Sequence, residues 1–456
     1  MAVTYTINDA VEKFGYGMFN FKLTLLLSIM YLTDGVELTL VALASPRIKC
    51  LWNLTSTETA LLSSAVFGGM LCGGVYWGEI ADKMGRKLPM VVCAALVVYF
   101  GLLSGVTFNV WSLFVMRAFV GFFMVCIPAT VIVYGVEFIP IKYRGSVAFG
   151  FNFSYAFGSM FASGLAYLVM NNLGWRWYMI LCTAPAILFL AFSTWLPESV
   201  RYLYIAGRYN DVVALLHRIS RENKETLPNG ELVKIKVIKE RGNIFDLFTP
   251  NVIISTLVLL VIVNVALMGY FGAVFLGSQI IQSGKLDCIS KSVTKQSNST
   301  CYKLTNDDYM WNVLLSFGDL TGVLITVLFL HRVSRKVMMR VLFIPAAASF
   351  PLLYICISTT INIVVMFLAR GLLLASTQIV LVYVAEFYPT RIRGTAVAFF
   401  FGTSRIGVIA SIFLIEVLFE YSYFLMTIIY CALLLLTALL VSCLSADTRN
   451  TKLLDR

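Results

Sequence analysis

The chain has 456 residues, of which 59% are hydrophobic, 14% aromatic and only 13% charged, with a mean hydropathy of +0.85 and a formal net charge of +11. Soluble domains carry about a quarter charged residues, so an ordinary water-soluble enzyme is excluded, and the aromatic content excludes a disordered chain. Uncharged stretches at 88–116, 145–175, 247–284 and 341–369 are each long enough for a helix of about 20 residues to cross a bilayer, so the chain reads as an all-α polytopic membrane protein.

Residues 1–21 lack the apolar core of a cleavable signal and read as a cytoplasmic N-terminus, leaving span 1 to direct insertion. Charge and turn breaks place twelve spans, numbered in order, at about 22–45, 57–77, 88–108, 110–134, 146–170, 177–195, 252–276, 308–330, 337–357, 360–384, 395–417 and 421–445. Residues 22–195 then form one six-helix bundle and 252–445 a second. Between them lies a cytoplasmic linker, 196–251, with an amphipathic run at Asn210–Ser220 and a basic run at Lys234–Arg241. The second bundle is interrupted by a luminal or extracellular loop at 277–307, and 446–456 form a cytoplasmic tail.

With both termini cytoplasmic, 25 of the 35 Lys and Arg fall inside, 7 outside and 3 within spans. That excess is the positive-inside pattern, so the basic balance reports topology rather than nucleic acid. Asn53-Leu54-Thr55 and Asn298-Ser299-Thr300 are glycosylation sequons, and both fall in outer loops. Seven of ten cysteines lie in spans, where a thiol acts as a small apolar group; Cys50, Cys288 and Cys301 do not. A Cys288–Cys301 disulfide would clip the 277–307 loop, with Cys50 as a competing partner.

Shifting the chain by 249 residues lays the motif Tyr134–Gly145 on Tyr383–Gly394 and Asp82–Lys87 on His331–Lys336. A six-helix unit duplicated in parallel gives twelve helices in two halves related by a pseudo-twofold axis, the architecture of major facilitator transporters. The loop after span 2 carries Gly78, Asp82, Gly85, Arg86 and Lys87; Asp82 is expected to receive Arg144 or a neighbouring helix end. Glu137 with Arg144, and Glu386 with Arg393, are expected to form equivalent latches at the cytoplasmic gate that break when the protein opens inward. His331 has no neighbour spaced to share a metal, and no metal or cofactor is expected.

Charges inside spans are Asp34 and Glu37 (span 1), Arg117 (span 4), Asp319 (span 8), Arg370 (span 10), and Arg405 and Glu416 (span 11). Such residues are costly in lipid and normally face a cavity or a partner. Spans 3, 6, 9 and 12 have none in their interiors, as a bundle with every third helix turned to lipid requires. Gly69, Gly73, Gly74 and Gly78 give span 2 a small-residue packing face. Asp34 lies roughly 16 Å and Arg117 roughly 10 Å below the outer ends of their spans, so the two are expected to pair, with protonation of Asp34 releasing Arg117. Glu37 is the neighbouring acid in the same proton-coupling set. Asp319, Arg370 and Arg405 are expected to neutralise one another in part; an arginine left over would bind an oxyanion. Gln378, Asn264, Tyr155, Asn152, Tyr270, Trp311 and Thr377 are candidate polar or aromatic cavity groups.

The loop at 78–87, Pro197-Glu198-Ser199-Val200-Arg201-Tyr202-Leu203 after span 6, Asp447-Thr448-Arg449 after span 12, and Arg117 with Gly121 resemble sugar-porter signatures of the major facilitator superfamily. Glu198 and Arg201 thereby join the expected gate. The stretches 7–23, 172–181, 306–324 and 370–390 further resemble the synaptic vesicle glycoprotein 2 family. The resemblance implies a twelve-helix protein of synaptic or other vesicles or of the plasma membrane, and no particular substrate. That family has been linked to adenine nucleotides, but no Gly-x-x-x-x-Gly-Lys loop is present.

The expected function is a secondary active transporter moving a small polar or charged organic solute (an organic ion, sugar or carboxylate) by alternating access and coupled to protons. It would act as a monomer in contact with membrane lipid. The alternative is a transport-derived vesicle protein that serves as a binding or trafficking partner. Seven intramembrane charges favour transport, and the lack of a nucleophile–base pair argues against an enzyme.

Overall fold

The computed structural model describes residues 4–233, 244–250, 252–282, 305–330, 332–355 and 358–444. Its helices occupy all twelve expected spans: Met18–Trp52, Ser56–Met84, Lys87–Val106, Val110–Glu137, Ile141–Val169, Trp175–Trp195, Ile253–Gln282, Asn306–Leu330, Arg335–Ile355, Thr359–Phe387, Thr390–Phe413 and Tyr423–Leu440. Ten of these segments are long and apolar enough to cross a membrane, and spans 2 and 5, of 29 residues each, trade hydropathy for Gly and Ser. Span 1 outruns its expected end because the helix continues through Pro46. It stops only where Asn53 turns left-handed (φ 49°) and returns its N–H to the Lys49 carbonyl. Span 4 turns at Val125, and span 11 is prolonged beyond Phe413 by a π turn over Leu414–Leu418.

The packing order carries the duplication. Span 1 packs on span 5 and span 2 on span 4; six positions later, span 7 packs on span 11 and span 8 on span 10. The halves meet where span 5 lies on span 8 and span 2 on span 11, two contacts that the same operation exchanges. Spans 3 and 6, and likewise 9 and 12, are placed outside this core.

The expected glycine face repeats as well. A Cβ at Gly69 would sit 2.0 Å from the Ala118 carbonyl oxygen, and one at Gly318 would sit 2.7 Å from that of Phe367, each partner being 249 residues on. Only residues without a Cβ allow these backbones to approach so closely.

At the inner face, so named by the orientation expected from basic residues, the start of the chain is stitched to the linker. Thr4–Tyr5 pairs in parallel with Glu231–Leu232, and the helix Tyr209–Asn223 buries Val212, Leu215, Leu216 and Ile219. Arg218 reaches the Trp195 carbonyl at 3.0 Å, and Asn223 bonds Phe19 N–H and Asn20. The apolar side of the amphipathic run is therefore spent on the bundle end. The run Lys234–Arg241, the second sequon at Asn298, Cys288, Cys301 and His331 lie outside the described residues. Asn53 is exposed at its turn, and Cys50 is disulfide-bonded to a residue outside the description.

Candidate functional site: buried charges between two six-helix halves

The inner-face gate is built from backbone caps as much as from ion pairs. After span 6, Glu198 folds under span 3 and its Oε1 accepts the N–H groups of Arg86 (2.9 Å), Lys87 (3.2 Å) and Ser199 (2.8 Å). A carboxylate there satisfies free N–H groups at a helix start and suits its positive end. Gly85 permits this: its φ of +93° favours glycine, and a Cβ would lie 2.8 Å from Glu198 Oε2. Tyr134 donates to the Pro197 carbonyl at 2.6 Å, fixing the same turn against span 4.

The expected latch partners need correction. Glu137 pairs with Arg86 at 2.9 Å and accepts the Ser199 hydroxyl, rather than pairing with Arg144. Glu386 pairs in a bidentate fork with Arg335 at 2.9 and 3.1 Å, rather than with Arg393. Arg335 is Arg86 moved on by 249, so the repeat held the answer. Arg144 and Arg393 instead donate Nε to the carbonyls of Ile139 (2.9 Å) and Tyr388 (3.4 Å), again equivalent positions. Arg201 is exposed and within electrostatic reach of Glu137 and Arg144. The side chains of Gly78 and Asp82 lie outside the description.

Deeper in, the expected Asp34–Arg117 pair is replaced. Arg117 Nη1 meets Glu37 Oε2 at 2.7 Å, with both side chains essentially sealed from solvent. Glu37 sits three residues beyond Asp34 on span 1, one helical turn closer to the level of Arg117. Glu37 Oε1, Arg117 Nε and Arg117 Nη2 have no hydrogen-bond partner among the described residues, so the pair is only half satisfied.

In the second half Asp319 and Arg370 consume each other, with Arg370 Nε to Asp319 Oδ1 at 2.8 Å and Nη2 to Oδ2 at 2.6 Å. Arg370 also donates to Ser159 of span 5 at 2.6 Å, a partner that composition gave no reason to select. Arg405 is the arginine left over: it stacks 4.4 Å over the Phe401 ring and lies within electrostatic reach of Asp34, Tyr31 and Tyr155. Tyr155 and Tyr270 touch through their hydroxyls at 3.4 Å across the halves. Gln378 is buried with Oε1 unpartnered among the described residues. Asn264 is not: it accepts Gly407 N–H (3.1 Å) and donates to the Leu260 carbonyl (2.8 Å), tying span 7 to span 11. Thr377 is likewise spent on the Leu374 carbonyl and Asn152 on that of Ala148.

Links between the halves run from this centre to the outer face. Ser163 and Ser316 share a hydroxyl contact at 2.6 Å, Asn171 donates to Asn306 at 2.7 Å, and Lys49 pairs with Glu420 at 2.6 Å. Glu416, in the π turn, takes its hydrogen bond from Gln279 at 2.6 Å. On the inner parts of spans 5 and 11, Gly145, Gly150, Gly394 and Gly402 have no neighbouring atom within 4 Å of where a side chain would start. The halves are thus clamped toward the outer face around a set of buried, opposed charges.

Comparison with known proteins agrees with this architecture. A family model described as sugar (and other) transporter matches residues 8–454. The chain is 33% identical over 450 residues to the synaptic vesicle 2-related protein of Bos taurus, covering 98% of this chain and 82% of that one. It is 29% identical to organic cation/carnitine transporter 7 of Arabidopsis thaliana, covering 88% and 86%. Among solved structures it resembles the xylose transporter XylE from E. coli in a partially occluded inward-open conformation, with TM-score 0.74, 16% identity and 95% and 100% coverage. The D-xylose-proton symporter structure matches with TM-score 0.68. This twelve-helix membrane protein belongs to the sugar (and other) transporter family of the major facilitator superfamily, among the relatives of synaptic vesicle 2-related protein.

Proposed function

We propose that the protein is a proton-coupled secondary transporter that moves a small organic solute by alternating access, with Glu37 as the proton acceptor and Arg117 as its release partner. The observation that carries this reading is the sealed, half-satisfied Glu37–Arg117 pair. A buried ion pair with three polar atoms unmatched is held at high cost, so neutralising one member frees the other to rearrange. Asp34, the acid first expected in this role, is assigned to the solute chamber instead. Vesicle membranes are the proposed location, supported by the names of the synaptic vesicle 2-related relatives. Solute passes between Asp34 and Tyr155 on one half and Gln378 and Arg405 on the other, while the Arg86–Glu137 and Arg335–Glu386 clasps hold the inner ends of each half together.

The test is uptake by the reconstituted protein from a panel of organic cations, anions, zwitterions and sugars under an imposed proton gradient. Wild type accumulates one class with the gradient, whereas Glu37→Gln keeps solute exchange but loses gradient-driven accumulation. Accumulation that ignores the gradient, or that persists in Glu37→Gln, overturns the coupling assignment. If every class fails while vesicle proteins co-purify, the alternative binding-partner role replaces transport.

A further inference from the structure

The buried charges balance unequally across the chamber. Glu37 and Arg117 neutralise each other within the first half, and Asp319 and Arg370 do so within the second. Of the three that are left, Glu416 takes a hydrogen bond from Gln279, so Asp34 on span 1 and Arg405 on span 11 remain. They belong to opposite halves, are 5% and 2% exposed, and make no hydrogen bond or ion pair among the described residues, although each lies in the other's field. Asp34 Oδ1 and Arg405 Nε are both sealed and unmatched.

Two opposite, unpaired charges buried in a low-dielectric interior are complementary to a ligand that carries both signs. Their surroundings assign the ends. The Phe401 ring covers one face of the Arg405 guanidinium at 4.4 Å, leaving its planar edge for a bidentate oxyanion. Tyr31 precedes Asp34 by one turn of span 1 and interacts electrostatically with both Asp34 and Arg405, and Tyr155 is a second aromatic neighbour of Asp34. A carboxylate flanked by aromatic rings suits an ammonium or quaternary ammonium group. A monoanion would face the Asp34 carboxylate, and a monocation would leave Arg405 uncompensated.

We propose that Asp34 and Arg405 form a substrate subsite for a zwitterion, its carboxylate end on Arg405 and its ammonium end between Asp34 and the rings of Tyr31 and Tyr155. The inference deepens the transporter reading by naming the solute class of the same chamber. It also gives the solute a mechanical role, because a ligand that touches span 1 with one end and span 11 with the other bridges the halves.

The experiment is equilibrium binding to the purified full-length protein in detergent, read by intrinsic tryptophan fluorescence and by thermal shift. The probes are γ-aminobutyrate and 4-(trimethylammonio)butyrate against butyrate, butylamine and D-xylose. One of the zwitterions is expected to bind at least about tenfold tighter than the three controls, since a site built around buried charges penalises a ligand that lacks one. Asp34→Asn is expected to erase the preference over butyrate, and Arg405→Gln the preference over butylamine. The ligand-free melting temperature of each variant reports whether it folds. The proposal is overturned if a control binds as tightly as the better-bound zwitterion, if no probe binds wild type at millimolar concentration, or if folded variants keep wild-type discrimination. Binding in detergent involves no gradient, so its failure leaves proton-driven uptake standing, and loss of coupling in Glu37→Gln does not depend on it.

Discussion

Removing one member of the Glu37–Arg117 pair should harm the protein more than removing both. At 2.7 Å and an effective dielectric of about 20, the pair's Coulomb attraction is about 6 kcal/mol. Desolvation of the two ions opposes it by several kcal/mol each, so the intact pair is near break-even. Arg117→Met strands the Glu37 carboxylate, and Glu37→Gln strands the guanidinium; each is expected to cost about 3–5 kcal/mol. The double substitution strands nothing, so the cycle, double minus the two singles, should return a coupling of about 6 kcal/mol or more. The assay is denaturant or thermal unfolding of the four purified proteins in one detergent. A parallel cycle with Asp34→Asn and Arg117→Met should return less than about 0.5 kcal/mol, because Asp34 does not contact Arg117. Stronger coupling of Arg117 to Asp34 than to Glu37 would refute the pairing and the proton assignment built on it.

Two further outcomes follow from packing. Gly121→Ala puts a methyl 1.9 Å from the Val66 carbonyl oxygen and should cost about 1–3 kcal/mol by forcing spans 2 and 4 apart; Gly145→Ala, with no neighbouring atom within 4 Å, should be neutral or gain up to about 1 kcal/mol in the same melts. A cysteine pair at Asn171 and Asn306, whose side chains meet at 2.7 Å on the outer face, should cross-link with a short thiol reagent and stop solute exchange until reduced; full exchange after complete cross-linking would mean the outer face need not open.

The fold was legible because hydropathy and basic-residue bias act over twenty-residue lengths, and an offset of 249 appears directly in the letters. The pairings were harder. Asp34 and Glu37 lie on one helical face three residues apart, less than one turn, so depth along the span does not separate them as partners of Arg117. The choice between them depends on the height at which span 4 crosses span 1, which span 4's turn at Val125 helps to set. Nearness in sequence points Glu137 to Arg144, whereas Arg86 reaches it through the fold from the loop after span 2. Ser159 and Gln279 carry no signal at all, since a lone hydroxyl or amide in a span is usually spent on its own helix. Asn264, read as a cavity group, shows that bias from the other direction.

The repetition reaches individual atoms: Arg86 on Glu137 and Arg335 on Glu386, Arg144 on Ile139 and Arg393 on Tyr388, Gly69 on Ala118 and Gly318 on Phe367. Such correspondence makes each half a copy of the other in its fastenings, and the two are joined across two equivalent seams. Where the copies part company, Arg117 stands opposite Met366 and Arg405 opposite Ala156, so equivalent positions carry a charge in one half and an apolar group in the other.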